Sequence, residues 1–182
     1  MTARCWVGID PGGSHTGFVI RDDDGLCHWH TVIDHDPDPM IAVHQLADGV
    51  AAASLRLDYW SGPDPVWAIE DLTPPKGRVG GVKVPINPGT LIGTGRALGA
   101  LLNAVWTITG ITPVLVKPDK HGKRALNTYP PDLIPPLGAK SATRRNAWAE
   151  MAGQSSQIRH ARSAWDVAGS AIAAAGLFEV AR

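Results

Sequence analysis

Two short apolar runs that each end on a carboxylate set the pattern of this chain. Cys5–Ile9 stops at Asp10, and Val66–Ile69 stops at Glu70. Both have the length of a strand and are bounded by turn residues. Pro11-Gly12-Gly13-Ser14 follows the first run, and Ser61–Pro65 precedes the second. A further apolar run from about Gly17 makes a hairpin with the first, and Arg21–Gly25 reads as a tight turn into a third strand, Leu26–Ile33. The period then changes from two to 3.6. Asp38-Pro39 offers a cap and a first-turn proline, and Met40, Val43, Leu46, Ala47, Val50, Ser54 and Leu57 keep helical spacing, which predicts a helix to about Trp60.

Beyond Glu70 the pattern predicts a Pro- and Gly-rich loop over Thr73–Gly89 and a helix over about Thr90–Ile108. Leu91, Leu98, Leu102, Val105 and Ile108 of that helix are expected on its core side. Gly93, Ala97, Ala100 and Ala104 make a small-residue row on another face. That row suits close approach of a second helix, in this chain or across a dimer, or is no more than helix-favouring alanine. Ile111–Val116 reads as a fifth strand, Pro118–Gly138 as an irregular loop, Ser141–Met151 as a helix and Arg162–Val180 as the last helix. The order β-β-β-α-β-α-β-α-α predicts an α/β layered fold, a five-stranded mixed sheet flanked by helices. At 182 residues one domain is expected.

Composition narrows the setting. With 44% hydrophobic and 19% charged residues the chain reads as globular, no run suggests a membrane span or a secretory signal, and no membrane partner is expected. Cys5 and Cys27 have no metal-ligand spacing and are expected to be buried, reduced thiols in a cytoplasmic protein. The net charge of zero conceals a division. Residues 1–75 hold 12 acidic and three basic residues, whereas residues 76–145 hold two acidic and 11 basic ones. A block that positive beside one that negative suits a polyanion bound next to a carboxylate site, or is a solvated basic face. The candidate contacts are Lys76, Arg78, Lys83, Lys117, Lys120, Lys123, Arg124, Lys140, Arg144 and Arg145.

The last helix adds a third acid, Asp166, among small residues that allow close packing on a sheet. Alone, it either complements the helix dipole or reaches the sheet's rim. Asp10, Glu70 and Asp166 would share a site only if cations offset repulsion of several kcal/mol at roughly 4–6 Å and an effective dielectric near 20. All-oxygen ligands suit Mg²⁺ or Mn²⁺. Two such ions about 3.5–4 Å apart activate a water and stabilise the leaving oxygen of a phosphodiester.

These residues resemble a known family. Gly8-Ile9-Asp10-Pro11-Gly12, with Thr16-Gly17 downstream, is similar to the first motif of RuvC-type Holliday-junction resolvases. Ala68-Ile69-Glu70 resembles their second motif, and Ala164-Trp165-Asp166-Val167-Ala168 their last, where an Asp opens an Ala-rich helix. The three motifs fall in family order and span nearly the whole chain. The resemblance implies an RNase H-like fold over residues 1–182 and a homodimer. It also implies two-metal cleavage of branched DNA, in the manner of a phage-type enzyme acting on Holliday junctions, flaps or forks. By the same resemblance Asp10, Glu70 and Asp166 are the metal-binding acids, and Lys117 and Lys140 contact phosphate. The family has a further acid or His one helical turn before the last Asp, and Ser163 stands there. His160, six residues before Asp166, points about 120° away from it on a continuous helix. It would substitute only if the helix began after it, and otherwise is a surface histidine. Thr73 stands where the family often has an aromatic. Two rival readings are an actin-like sugar kinase or ATPase fragment, with Gly12-Gly13-Ser14 cradling phosphate, and a catalytically silent RNase H-like binding module.

Overall fold

β1 (Cys5–Pro11) and β2 (His15–Asp22) form the predicted antiparallel hairpin, with Asp10 opposite Gly17. β3 (Cys27–Asp34) extends it on the far side of β2. β4 (Val66–Glu70) joins β1 in parallel, and β5 (Val114–Val116) joins β4 in parallel. The order is β3-β2-β1-β4-β5, the five-stranded mixed sheet expected from the pattern. The structure, a computed structural model, describes residues 3–72, 88–119, 121–134 and 157–180. The expected helix over Ser141–Met151, Thr73 and the basic residues Lys76, Arg78, Lys83, Lys120, Lys140, Arg144 and Arg145 lie outside them.

α1 (Pro39–Leu57) starts as predicted, with the Asp38 carboxylate accepting the Met40 N–H at 2.8 Å. α2 (Pro88–Thr109) turns inward a face that only partly matches the one expected, with Val105 buried and Leu98 and Leu102 packed on the core as expected. Ala97, Leu101, Ala104 and Val105 are buried, whereas Ile108 is 41% exposed. The helix lies against α1, and the small residues Ala97 and Ala104 share its buried face with Leu101 and Val105. By length and composition α2 also matches a membrane-crossing helix, yet its buried face belongs to this core. β5 is shorter than the expected strand because Pro113 has no N–H to give, and pairing is confined to three residues opposite Ala68–Glu70. The last helix, α3 (Gln157–Val180), begins five residues before the expected Arg162. That earlier start brings His160 into its first turn.

Strand alternation divides the core. Cys5, Val7, Ile9, Phe18, Ile20, Trp67 and Ile69 face α1 and α2, where Leu46, Val50, Ala53, Leu101 and Val105 complete one cluster. Trp6, Ala68 and Val116 face the other way and pack beneath Val167, Ala168 and Ala171 of α3. Asp10 and Glu70 continue this second series, so both carboxylates point to the α3 side. Gly17 permits the approach of α3 at that end of the sheet. A methyl group on its α-carbon would overlap the His160 carbonyl.

Two glycine substitutions test this close contact. Gly17→Ala should destabilise by about 1–3 kcal/mol or more in urea unfolding, because backbone rather than a flexible side chain blocks the space. Gly99→Ala, on α2 where a new methyl meets nothing, should stabilise by about 0.5–1 kcal/mol.

Candidate active site

Gly8 pairs with Ala68 and Ile9 with Ile69, so Asp10 and Glu70 end adjacent parallel strands on one face. The two carboxyls come within hydrogen-bonding reach of each other. Burial raises the pKa of Glu70 above its ordinary value, and Asp10 beside it pushes the same way, against a hydrogen bond to His121 that lowers it. Asp10 is 7% exposed, and its Oδ2 lies 2.6 Å from Nδ1 of His160. The His160 ring in turn sits 5.8 Å from that of His15, whose Nδ1 is 2.6 Å from Asp34.

His121 comes from the loop after β5. Its Nδ1 lies 2.7 Å from Glu70 Oε1, and its Nε2 lies 3.2 Å from the Ser170 hydroxyl of α3. The hydrogen bond to Glu70 pushes the imidazole pKa up, against burial. Glu70 and His121 are thus both shifted toward holding a proton, and the proton they share belongs to the pair.

Of the five proposed catalytic residues, the structure brings Asp10, Glu70 and His160 together. Asp166 is fully buried and turned elsewhere. Its Oδ2 accepts the Gly122 N–H at 2.8 Å and the Tyr129 hydroxyl at 2.7 Å, and its Oδ1 lies 3.3 Å from Arg124 Nε. Burial, then Asp166, pushes the Tyr129 phenol up to about 12, so it stays a donor. The helix runs unbroken through both residues, and the face that meets Asp10 carries His160. Substitution by His160 therefore needs no later helix start, because Asp166 is the residue turned away. Ser163 is buried against Gly122. Lys117, Lys123 and Arg124 are exposed on the segment that carries His121.

Among the described residues, no group of three or more His, Cys, Asp or Glu side chains is arranged to hold a metal ion. The Asp10–Glu70 pair still fits a hard cation. Mg²⁺ is commonly held by one or two carboxylates with water and substrate oxygens completing its shell, and the raised pKa of Glu70, from burial and then from Asp10 beside it, is that of a carboxyl sharing a site with another. The contacts of Asp166 run to Gly122, Tyr129 and Arg124 and not to Asp10 or Glu70. Sequence reasoning missed His121, Gly122 and Tyr129. A His-Gly step shortly after a strand beside an acid-bearing strand was the available signal, submerged in a run of lysine and arginine.

No protein-family model matches the sequence, and no curated protein matches it. Solved structures do. A T. thermophilus RuvC in complex with Holliday junction substrate superposes with a TM-score of 0.54 at 18% identity, over 94% of each chain. A second Thermus thermophilus RuvC structure gives a TM-score of 0.50 at 18% identity, over 93% of this chain and 94% of that one. The chain has the RuvC-like, RNase H-like fold that the motifs implied.

The His121–Glu70 contact predicts a pH dependence. A histidine whose folded pKa is raised contributes stability that is fully present below about pH 6.5 and lost as pH rises through the folded value. His30 and His35, lowered mainly by burial, act in the opposite sense. Urea unfolding of wild type and His121→Asn at about pH 6 and pH 8.5, without divalent ions, separates them. The variant should lose less stability over that interval than wild type.

Proposed function

We propose that this protein is a divalent-metal-dependent endonuclease that cuts phosphodiester bonds in branched DNA, acting as a homodimer. The observation that carries the reading is the pair of carboxyls, Asp10 and Glu70, held within reach of each other at the ends of adjacent parallel strands in a RuvC-like fold. Mg²⁺ or Mn²⁺ held by Asp10 and Glu70 would supply Lewis-acid polarisation of the phosphate and an activated water, in the two-ion scheme that the motifs imply.

The chain's own residues define the remaining tasks. His160 orients the Asp10 carboxylate through Nδ1. His121 fixes the Glu70 carboxyl. The exposed Lys117, Lys123 and Arg124 would hold backbone phosphates, and Lys76, Arg78, Lys83, Lys120, Lys140, Arg144 and Arg145 belong to the same proposal from charge alone. The RuvC structure in complex with a Holliday junction supports four-way DNA as the first substrate to try.

Purified protein with Mg²⁺ or Mn²⁺ should cut one or more of a four-way junction, a flap, a Y-fork and duplex DNA, with a branched substrate preferred. Asp10→Asn and Glu70→Gln should each lower cleavage by about three orders of magnitude or more while largely sparing DNA binding. Full cleavage by Asp10→Asn would sink the site assignment. Replacing Lys117 and Lys123 by Ala should flatten the salt dependence of binding, measured by titration across salt. The log–log slope should fall by roughly 0.9 for each phosphate that is no longer neutralised.

A further inference from the structure

Asp166 and Ser170 stand one helical turn apart on α3 and face the loop that carries His121. Asp166 takes that loop by its backbone at Gly122 and by the Tyr129 hydroxyl, and Ser170 takes the far nitrogen of His121. The near nitrogen of His121 rests on Glu70. We infer that Asp166 is a positioning residue and not a metal ligand: it anchors residues 121–129 on α3 so that His121 holds the Glu70 carboxyl toward Asp10. This rests on the metal-dependent reading of the Asp10–Glu70 pair and assigns a different task to the third acid.

Three features support the anchor. Gly122 has φ +70°, and a methyl there would lie 2.9 Å from the Arg159 carbonyl, so the loop passes α3 as closely as backbone allows. The Tyr129 hydroxyl also accepts the Arg124 N–H at 3.2 Å, and the Tyr129 ring packs edge-on to Trp165 at 5.7 Å. One acceptor oxygen thereby ties both ends of the segment. Finally, Asp166 already has a cation. Its Oδ1 makes no hydrogen bond, yet Arg124 Nε lies 3.3 Å away. Turning toward Asp10 would strand a buried backbone N–H and a buried phenol, and His160 already stands there.

The test compares wild type with Asp10→Asn, Asp166→Asn, Tyr129→Phe and His121→Asn, titrating each with Mn²⁺ by calorimetry. Asp10→Asn should abolish measurable Mn²⁺ binding, whereas Asp166→Asn and Tyr129→Phe, which act through His121, should each weaken it by about ten-fold and to a similar extent. Amide exchange across residues 121–129 should quicken by about ten-fold or more in both anchor variants. Because Asp166 acts through His121, adding Asp166→Asn to His121→Asn should lower kcat by less than about two-fold further. Loss of Mn²⁺ binding in Asp166→Asn to the extent seen in Asp10→Asn, unchanged loop exchange, or additive losses of kcat overturns the inference. If Asp166→Asn does not fold, Tyr129→Phe decides by the same exchange and affinity readings. A wild-type chain that binds no Mn²⁺ overturns the metal reading itself, and loop exchange then still decides whether Asp166 is the anchor.

Discussion

Two carboxyl groups side by side on one face of a sheet are the constraint around which this site is arranged. Like charges about 4 Å apart repel by roughly 4 kcal/mol at an effective dielectric of 20, and partial burial adds a desolvation penalty. Asp10 and Glu70 do not escape each other, because parallel pairing and strand alternation fix both side chains on the α3 side. The surroundings are therefore organised to compensate. His160 lies on one carboxyl and His121 on the other, and both Glu70 and His121 are shifted toward keeping a proton. A divalent cation would be the stronger form of the same compensation, and the proposed metal-dependent function rests on it.

α3 organises the second half of the site through its register. His160 in the first turn meets Asp10, Ser163 packs on Gly122, and Asp166 and Ser170 turn to the His121 loop. Gly17 brings the first of these contacts within range by letting the helix backbone rest on β2. One rigid helix thus touches both carboxyl-bearing strands, directly at Asp10 and through a loop at Glu70. A small rotation of α3 would disturb both at once, so the packing of Ala164, Val167, Ala168 and Ala171 beneath it also serves the chemistry.

Much of this was legible in the chain. The runs ending at Asp10 and Glu70 became β1 and β4, Asp38-Pro39 opened α1, and the order of elements matched the mixed sheet. Local signals decide such features: period-two alternation, a cap and a proline. Helix faces were less legible. On α2 Val105 is buried as expected, but Ile108 is exposed, and Ala97, Leu101 and Ala104 take the remaining buried positions. On α3 the sequence marked Asp166 as an isolated acid among small residues, but not which way it points. His121 was missed because its role depends on a partner 51 positions away.

By itself, then, the sequence determined the strands, their acids and the family-like order, since each follows from a few neighbouring residues and their spacing. Only the tertiary structure decided how the polar groups are shared among Asp10, Glu70, Asp166, His121 and His160. That choice depends on the register of α3 against the sheet and on the path of the loop after β5. Both are set by backbone contact at Gly17 and Gly122, between segments far apart in the chain. Spacing along a helix gives the angle between His160 and Asp166, but only packing against β1 and β2 shows which of them meets Asp10.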